Sequence, residues 1–280
     1  MVVSINTNSS ALVALQQLNS TSKELDKIQE RISSGYKVLR AKDDSGAFSV
    51  AQKERADLDA YDAVGQSVQR GINILDISIE ALKTISNLLI DMKAKSVEAT
   101  NPTLQPAERL LIDTDYQQYV AQLTLIINSA TYDGVNIINK NPVVPATDNI
   151  NVLSEPTANP ALSIVIPAIN ITAATTSLLG NIGSIAAAQN EMTVLDGISQ
   201  SINAAMAAVG GNLFRLEKHS DFVFKLQDAL RVGIGSLVDT DLTRDSALLK
   251  SVQVQQQLST QALQIANSRP QQILALFQNN

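Results

Sequence analysis

The sequence has no cysteine, a single histidine (His219) and no tryptophan. The first absence removes disulfides, thiolate metal sites and cysteine nucleophiles; the second removes any metal centre built on several imidazoles. No cofactor or metal is therefore expected. Aromatic residues are only 4 % of the chain and charged residues 17 %, against about 25 % in an ordinary globular protein. A core without large rings has to come from aliphatic seams, which suits long packed helices. No basic side chain precedes Lys23 and no run approaches ~20 apolar residues, so we expect neither a Sec-type leader nor insertion into a membrane. Acidic groups outnumber basic ones by 27 to 21, giving −6, which argues against a nucleic-acid partner.

What is present is organised by proline. Seven of the eight prolines lie between Pro102 and Pro167, and residues 43–100 and 168–269 have none. Long uninterrupted helices are thus sterically permitted in both flanks. From residue 11 a heptad places Ala11, Leu18, Leu25 and Ile32 at one seam position and Ala14, Thr21 and Ile28 at the other. Ser33-Ser34-Gly35 breaks it, and Asp43-Asp44 suits the start of a second helix. There Val64, Val68, Ile72, Leu75, Ile79, Leu82, Ile85 and Leu89 recur every three or four residues. A shorter helix is predicted over 107–128, using Leu110, Leu111, Tyr116, Tyr119, Val120, Leu123 and Ile126, and closed by Tyr132-Asp133-Gly134.

Residues 141–190 change character: two carboxylates, no Lys or Arg, and no aromatic side chain from Asp133 to Leu213. Leu162–Ile166 reads as a short strand or loop in a small, soft insert. Helix returns near Glu191, with Val194, Ile198, Ile202, Met206, Val209, Leu213 and Leu216 on one stripe. A last helix starts at Asp239-Thr240-Asp241 and carries Leu248, Val252, Leu258, Ala262 and Ile265 towards Pro270. The expected fold is mainly α: an antiparallel helical bundle or coiled coil built from both chain ends around an irregular or β-rich insert.

The ends match each other. Residues 1–22 hold no charge and residues 251–280 hold only Arg269, yet both keep helical apolar spacing. Isolated helices are marginal because nucleation is costly. Such ends are expected to be loose in a lone chain and to order when copies stack. The plain alternative is fraying of a soluble bundle. A membrane-surface helix would carry Lys or Arg opposite its apolar face, and these do not.

Enzymatic chemistry finds little support. His219-Ser220-Asp221 has a hydrolase's side chains, but neighbours on a helix point in different directions and cannot form a triad alone. The acid pairs Asp43/Asp44, Asp113/Asp115 and Asp239/Asp241 read as helix caps. Gly210-Gly211 lacks phosphate-loop spacing. Asn-x-Ser/Thr triplets at Asn8, Asn19 and Asn170 are expected by chance.

Several motifs together are similar to bacterial flagellin. They are Ile5-Asn6-Thr7-Asn8, Arg31-Ile32-Ser33-Ser34-Gly35, Ala41-Lys42-Asp43-Asp44-Ser45-Gly46 and Thr131-Tyr132-Asp133-Gly134-Val135 near the N-terminus. Towards the C-terminus stand Leu237-Val238-Asp239-Thr240-Asp241-Leu242, Gln261-Ala262-Leu263-Gln264-Ile265-Ala266-Asn267 and Ser268–Phe277. The stretch 222–238 looks nearest to alphaproteobacterial members. The resemblance implies a non-enzymatic subunit of an extracellular helical flagellar filament used for swimming. It implies an inner coiled-coil layer from 1–42 and 239–280, a helical rod from 43–140 and 191–238, and a solvent-facing insert, 141–190. Inner-layer packing would use Ile5, Leu15, Leu18, Leu25, Ile28, Ile32, Leu248, Val252, Leu258, Ala262, Ile265, Ile273, Leu276 and Phe277. The rod seam would use Ile72, Leu75, Ile79, Leu82, Leu89, Leu123, Ile198, Ile202 and Leu216.

Implied partners are further copies of the chain, sister flagellins, hook-associated junction and cap proteins, the flagellar export apparatus and its chaperone. Two positions depart from the family pattern. Where many members carry a Gln-Arg pair and a leucine read by an innate immune receptor, this chain has Ile90, Asp91 and Lys95, which predicts weak activation. Where a Gln-Asn often precedes the arginine, it has Leu213-Phe214 before Arg215. The alternatives are a hook–filament junction protein, which shares the terminal signatures, and a surface glycan-binding protein, which the aromatic-poor insert disfavours.

Overall fold

The computed structural model describes residues 8–139, 149–156, 163–171 and 180–278, with side chains to Ser268. Ile5 lies outside the described residues, as do the side chains of Ile273, Leu276 and Phe277. Five helices and one hairpin are present among the described residues: α1 (Ser9–Ser34), α2 (Ser45–Ala99), α3 (Pro106–Ser129), β1 (Ile150–Leu153), β2 (Ser163–Ile166), α4 (Ile185–Val238) and α5 (Leu242–Gln278). The chain divides into two units, Met1–Ala56 with Ala229–Asn280, and Asp57–Asp228.

Each boundary has a local cause. Asn8 caps α1, accepting from the Ala11 amide at 3.1 Å. Gly35, at φ 76°, ends it by returning its N–H to Arg31 O at 2.8 Å. Asp44 Oδ1 takes the amides of Gly46 and Ala47, both at 3.0 Å, and so opens α2. At the other end of α2 the buried Arg109 guanidinium donates to the carbonyls of Ala99 (2.9 Å) and Asn101 (3.0 Å), supplying a cation and donors where the helix has spare acceptors. Pro106 occupies the first turn of α3, and the Gln105 amide donates to Glu108 at 2.9 Å. Asp241 opens α5 through the amides of Thr243 and Arg244. The acid pairs at 43/44 and 239/241 therefore serve turns and helix starts, whereas Asp113 and Asp115 lie inside α3 and are not caps: they face the Ile182 amide and Lys95 instead.

The unit Asp57–Asp228 has one aliphatic core. Leu75, Leu82, Ile85, Leu89 and Met92 of α2 pack with Tyr116, Val120 and Leu123 of α3 and with Leu195, Ile198, Ile202, Val209 and Leu216 of α4. Leu110 and Leu111, read from the sequence as part of the apolar run of α3, are exposed on its outer face. The hairpin joins the same core. Its antiparallel register pairs Ile150 with Ile166 and Val152 with Ile164, and Val152, Ile164 and Ile166 face inwards. Three interactions hold β1 on the helices. Val152 sits where Gly71 has no side chain: a Cβ there would meet its Cγ2 at 2.8 Å. Ser67 Oγ accepts from the Leu153 amide at 3.1 Å, and His219 Nε2 is 3.0 Å from the Ser154 carbonyl oxygen. The single histidine is thus a half-buried clasp on a strand end.

In the other unit the α1–α2 and α4–α5 connections pair with each other. Tyr36 bridges Asp239, Lys37 donates to Val238 O at 2.7 Å, and Thr240 donates to Gly35 O at 2.9 Å. From that junction α1 and α5 lie against one another, so helices from the two ends of the chain pack together.

Candidate functional site

The α1 side of this pair is the heptad read from the sequence. Ala11, Ala14, Leu18, Thr21, Leu25, Ile28 and Ile32 are all buried or half-buried. The α5 side is different. The positions turned inwards are Asp245, Leu249, Val252, Gln256, Ser259, Leu263 and Ala266, a heptad in which polar and small residues take several places. Gln256 Nε2 donates to Ser22 Oγ at 3.2 Å, and Asp245 accepts from the Thr240 hydroxyl at 2.6 Å.

The apolar residues that stand out in the α5 sequence point elsewhere. Of those assigned to packing, Val252 lies in the seam with α1. Leu248, Leu258, Ala262 and Ile265 face outwards, with Leu258 58 % and Ile265 64 % exposed. Val254 joins them, and on α1 Leu12, Val13 and Leu15 are likewise open. The helix pair therefore has a thin internal seam and carries much of its aliphatic surface outwards. Sequence reasoning missed Leu249, Gln256, Ser259 and Leu263. Their period of seven was present, but hydrophobicity alone pointed to the stronger neighbouring stripe.

The helical-seam residues lie in the core of the unit Asp57–Asp228. Leu75, Leu82, Leu89, Leu123, Ile198, Ile202 and Leu216 are buried, and Ile72 and Ile79 are half-buried against them. Ile90 and Asp91 are exposed, and Lys95 lies 3.4 Å from Glu98 and 3.5 Å from Asp115. The Glu98 hydrogen bond chiefly, with Asp115 adding, raises the Lys95 pKa.

One polar pair is buried in that core. Tyr116 donates to Glu191 Oε1 at 2.7 Å across α3 and α4. Desolvation first, then the Glu191 hydrogen bond and nearby carboxylates, push the phenol's pKa up. Desolvation also raises that of Glu191, against the lowering effect of the Tyr116 hydroxyl. The chain returning from the insert is held beside it, where Gly180 O accepts from Gln117 at 3.1 Å and the Ile182 amide donates to Asp113 at 2.7 Å. No group of three or more metal-ligating side chains assembles among the described residues. What the arrangement offers is surface: two paired helices with open aliphatic faces.

The family comparison decides what such a chain is. The model of the bacterial flagellin N-terminal helical region matches residues 5–142, and that of the C-terminal helical region matches residues 192–277. The chain belongs to the bacterial flagellin family. It is 35 % identical to flagellin FljO of Caulobacter vibrioides over 98 % of both chains, and 32 % identical to a flagellin of Brucella melitensis over 99 % of both. These relatives are alphaproteobacterial, as the 222–238 stretch suggests. A solved structure of a candidate flagellar hook-associated protein from Vibrio parahaemolyticus aligns with a TM-score of 0.58, covering 70 % of this chain and all of that one. At 14 % identity that likeness concerns fold alone. Flagellin's two matched regions leave out residues 143–191, where the hairpin lies.

Proposed function

We propose that the chain is the repeating subunit of an extracellular helical flagellar filament and that its work is mechanical. The observation carrying this reading is the open aliphatic surface of α1 and α5, whose terminal segments up to residue 22 and from residue 251 hold Arg269 as their one charge, within a chain whose relatives are flagellins. A lone pair of such helices leaves Leu12, Val13, Leu258 and Ile265 in water. Stacking of copies removes that area at about 25 cal/mol per Å², and the gain recurs at every subunit. Residues 1–42 and 239–280 form the inner layer of the polymer, 43–140 and 191–238 the surrounding helical layer, and 141–190 faces solvent. Export through the flagellar apparatus with a chaperone, and junctions with hook-associated and cap proteins, belong to the same proposal.

Seeded polymerisation followed by electron microscopy tests it. Wild-type protein is expected to extend flagellar seeds. Leu258→Ala is expected to block extension while leaving monomer helicity unchanged, because Leu258 has little to lose within its own chain. Normal extension by that variant would remove Leu258 from the packing surface, and failure of the wild type would remove the filament reading.

A further inference from the structure

Proline has no N–H, and within a helix it leaves the carbonyl four residues earlier without its usual donor. In α5 the proline is Pro270 and the carbonyl is that of Ala266, yet the helix continues to Gln278. Ala266 is only 8 % exposed, and a buried carbonyl without a partner costs free energy. Its oxygen accepts a hydrogen bond at 2.7 Å from Nδ2 of Asn8, 258 positions away in the chain. Oδ1 of the same side chain accepts from the Ala11 amide at 3.1 Å. One carboxamide thus completes two helices: its oxygen caps the start of α1, and its nitrogen replaces the donor that Pro270 lacks. The two partners also settle which end of the amide is which, since Ala11 N–H needs an acceptor and Ala266 O a donor. Aspartate, an equally good N-cap, has no donor when ionised.

The arrangement matters because the rest of the seam fixes alignment weakly. Its fully buried side chains are few and small: Thr21 and Ile28 on α1, and Val252, Ser259 and Ala266 beside Asp245 on α5. A shift by one heptad would again set small and aliphatic residues opposite one another. At the junction end, the Thr240–Gly35 and Lys37–Val238 backbone bonds fix the alignment. At the open end a polar group facing a single unpaired acceptor does so, much as one buried asparagine sets register in coiled coils.

We propose that Asn8 and Pro270 act as a register pin, aligning α1 with α5 at the position where the proline-freed carbonyl of Ala266 faces the α1 cap. Asn8 is then a positioning residue for assembly, and in this respect the inference rests on the filament reading, because the aligned faces are what neighbouring copies meet.

The test is a cycle of Asn8→Asp, Pro270→Ala and the double variant in the full chain, read from the critical concentration for seeded growth. Asn8→Asp keeps the cap and loses the donor. It is expected to raise the critical concentration about fivefold, the size of one net hydrogen bond. Pro270→Ala restores a backbone N–H at position 270, so adding Asn8→Asp to it is expected to change nothing further. A merely structural cap would give no such dependence on residue 270, and an equal effect of Asn8→Asp in both backgrounds would overturn the pin.

Amide exchange over residues 11–21 and 258–266 gives a second readout. Exchange is expected to speed up in Asn8→Asp with proline at 270 and not with alanine there. If the wild type does not polymerise, the filament reading fails and exchange alone decides the pin. Unprotected wild-type amides, or an Asn8→Asp effect indifferent to residue 270, would then refute it.

Discussion

At the scale of single residues, the interior shows where side-chain chemistry and backbone space are spent. Glu191 is 4 % exposed and faces Tyr116. Its folded pKa lies above the ordinary value of 4.5 because burial disfavours the charged form. The native chain therefore keeps this proton when the unfolded chain has lost it, so stability falls as pH rises from about 4.5 to the raised folded pKa and then levels off. Glu191→Gln keeps an acceptor for Tyr116 and removes the ionisation. It is expected to unfold at higher temperature than the wild type at pH 7 and to lose that advantage below pH ~4.5; a pH-independent difference in melting curves would contradict this account. Two glycines make a second contrast. Gly71→Ala drives a methyl group into Val152 Cγ2 at 2.8 Å and Leu216 Cδ1 at 3.0 Å. Overpacking of this kind costs about 1–3 kcal/mol. Gly210→Ala meets nothing within 4 Å and is expected to stabilise α4 by up to ~1 kcal/mol. Denaturant titration of the two variants side by side checks both signs.

At the scale of elements, much of the helix map was legible. Gly35, Asp44 and Asp241 act at the helix ends where their residue types point. The apolar runs along α2 and α4 turn their leucines and isoleucines inwards. The α5 seam was not legible, because a helix with two apolar faces offers two answers and composition favours the stronger stripe. The contact between α1 and α5 uses the weaker one, with Gln256 and Ser259 in it. The consequence is measurable. Leu249→Ala trims a half-buried side chain of the internal seam, whereas Leu258→Ala trims an exposed one. Loss of core methyls costs up to about 2–5 kcal/mol when burial is full. The first variant is therefore expected to lower helicity and exchange protection in the dilute chain, and the second to affect assembly alone. The helix also runs on past Pro270, where a sequence reading would place its end; the Asn8 amide on Ala266 O supplies the missing donor. Of the insert's hairpin the sequence shows no more than a segment that reads as short strand or loop, Leu162–Ile166. Its docking depends on the gap at Gly71, and a gap has no signature in hydropathy.

At the scale of the whole molecule, the ends were expected to be loose in a lone chain, whereas α1 and α5 are helical and paired within one chain. The thin seam reconciles the pairing with a need for neighbours, since so little apolar area is covered inside the pair. Circular dichroism of the dilute chain against the assembled form is expected to show a gain of helix on assembly. No gain would mean that the seam suffices by itself. On the outer surface of α2, Ile90 and Asp91 stand exposed where receptor-active flagellins, by the resemblance drawn from the sequence, carry a Gln-Arg pair. The charge reversal predicts weak innate-receptor activation, and a reporter-cell assay giving full activation would contradict it.

From its residues alone the chain was committed to cysteine-free, aromatic-poor helical packing, to helix ends at its caps and glycines, and to terminal segments too poor in charge to be ordinary solvated tails. Those properties are local: they depend on side-chain type and on spacing along three or four residues. Tertiary structure decided which of two apolar faces α5 turns inwards, which carbonyl Asn8 completes and which glycine receives Val152. Each of these depends on atoms brought together from distant parts of the chain, where shape and unpaired hydrogen-bonding groups select among faces that hydrophobicity alone leaves nearly equivalent.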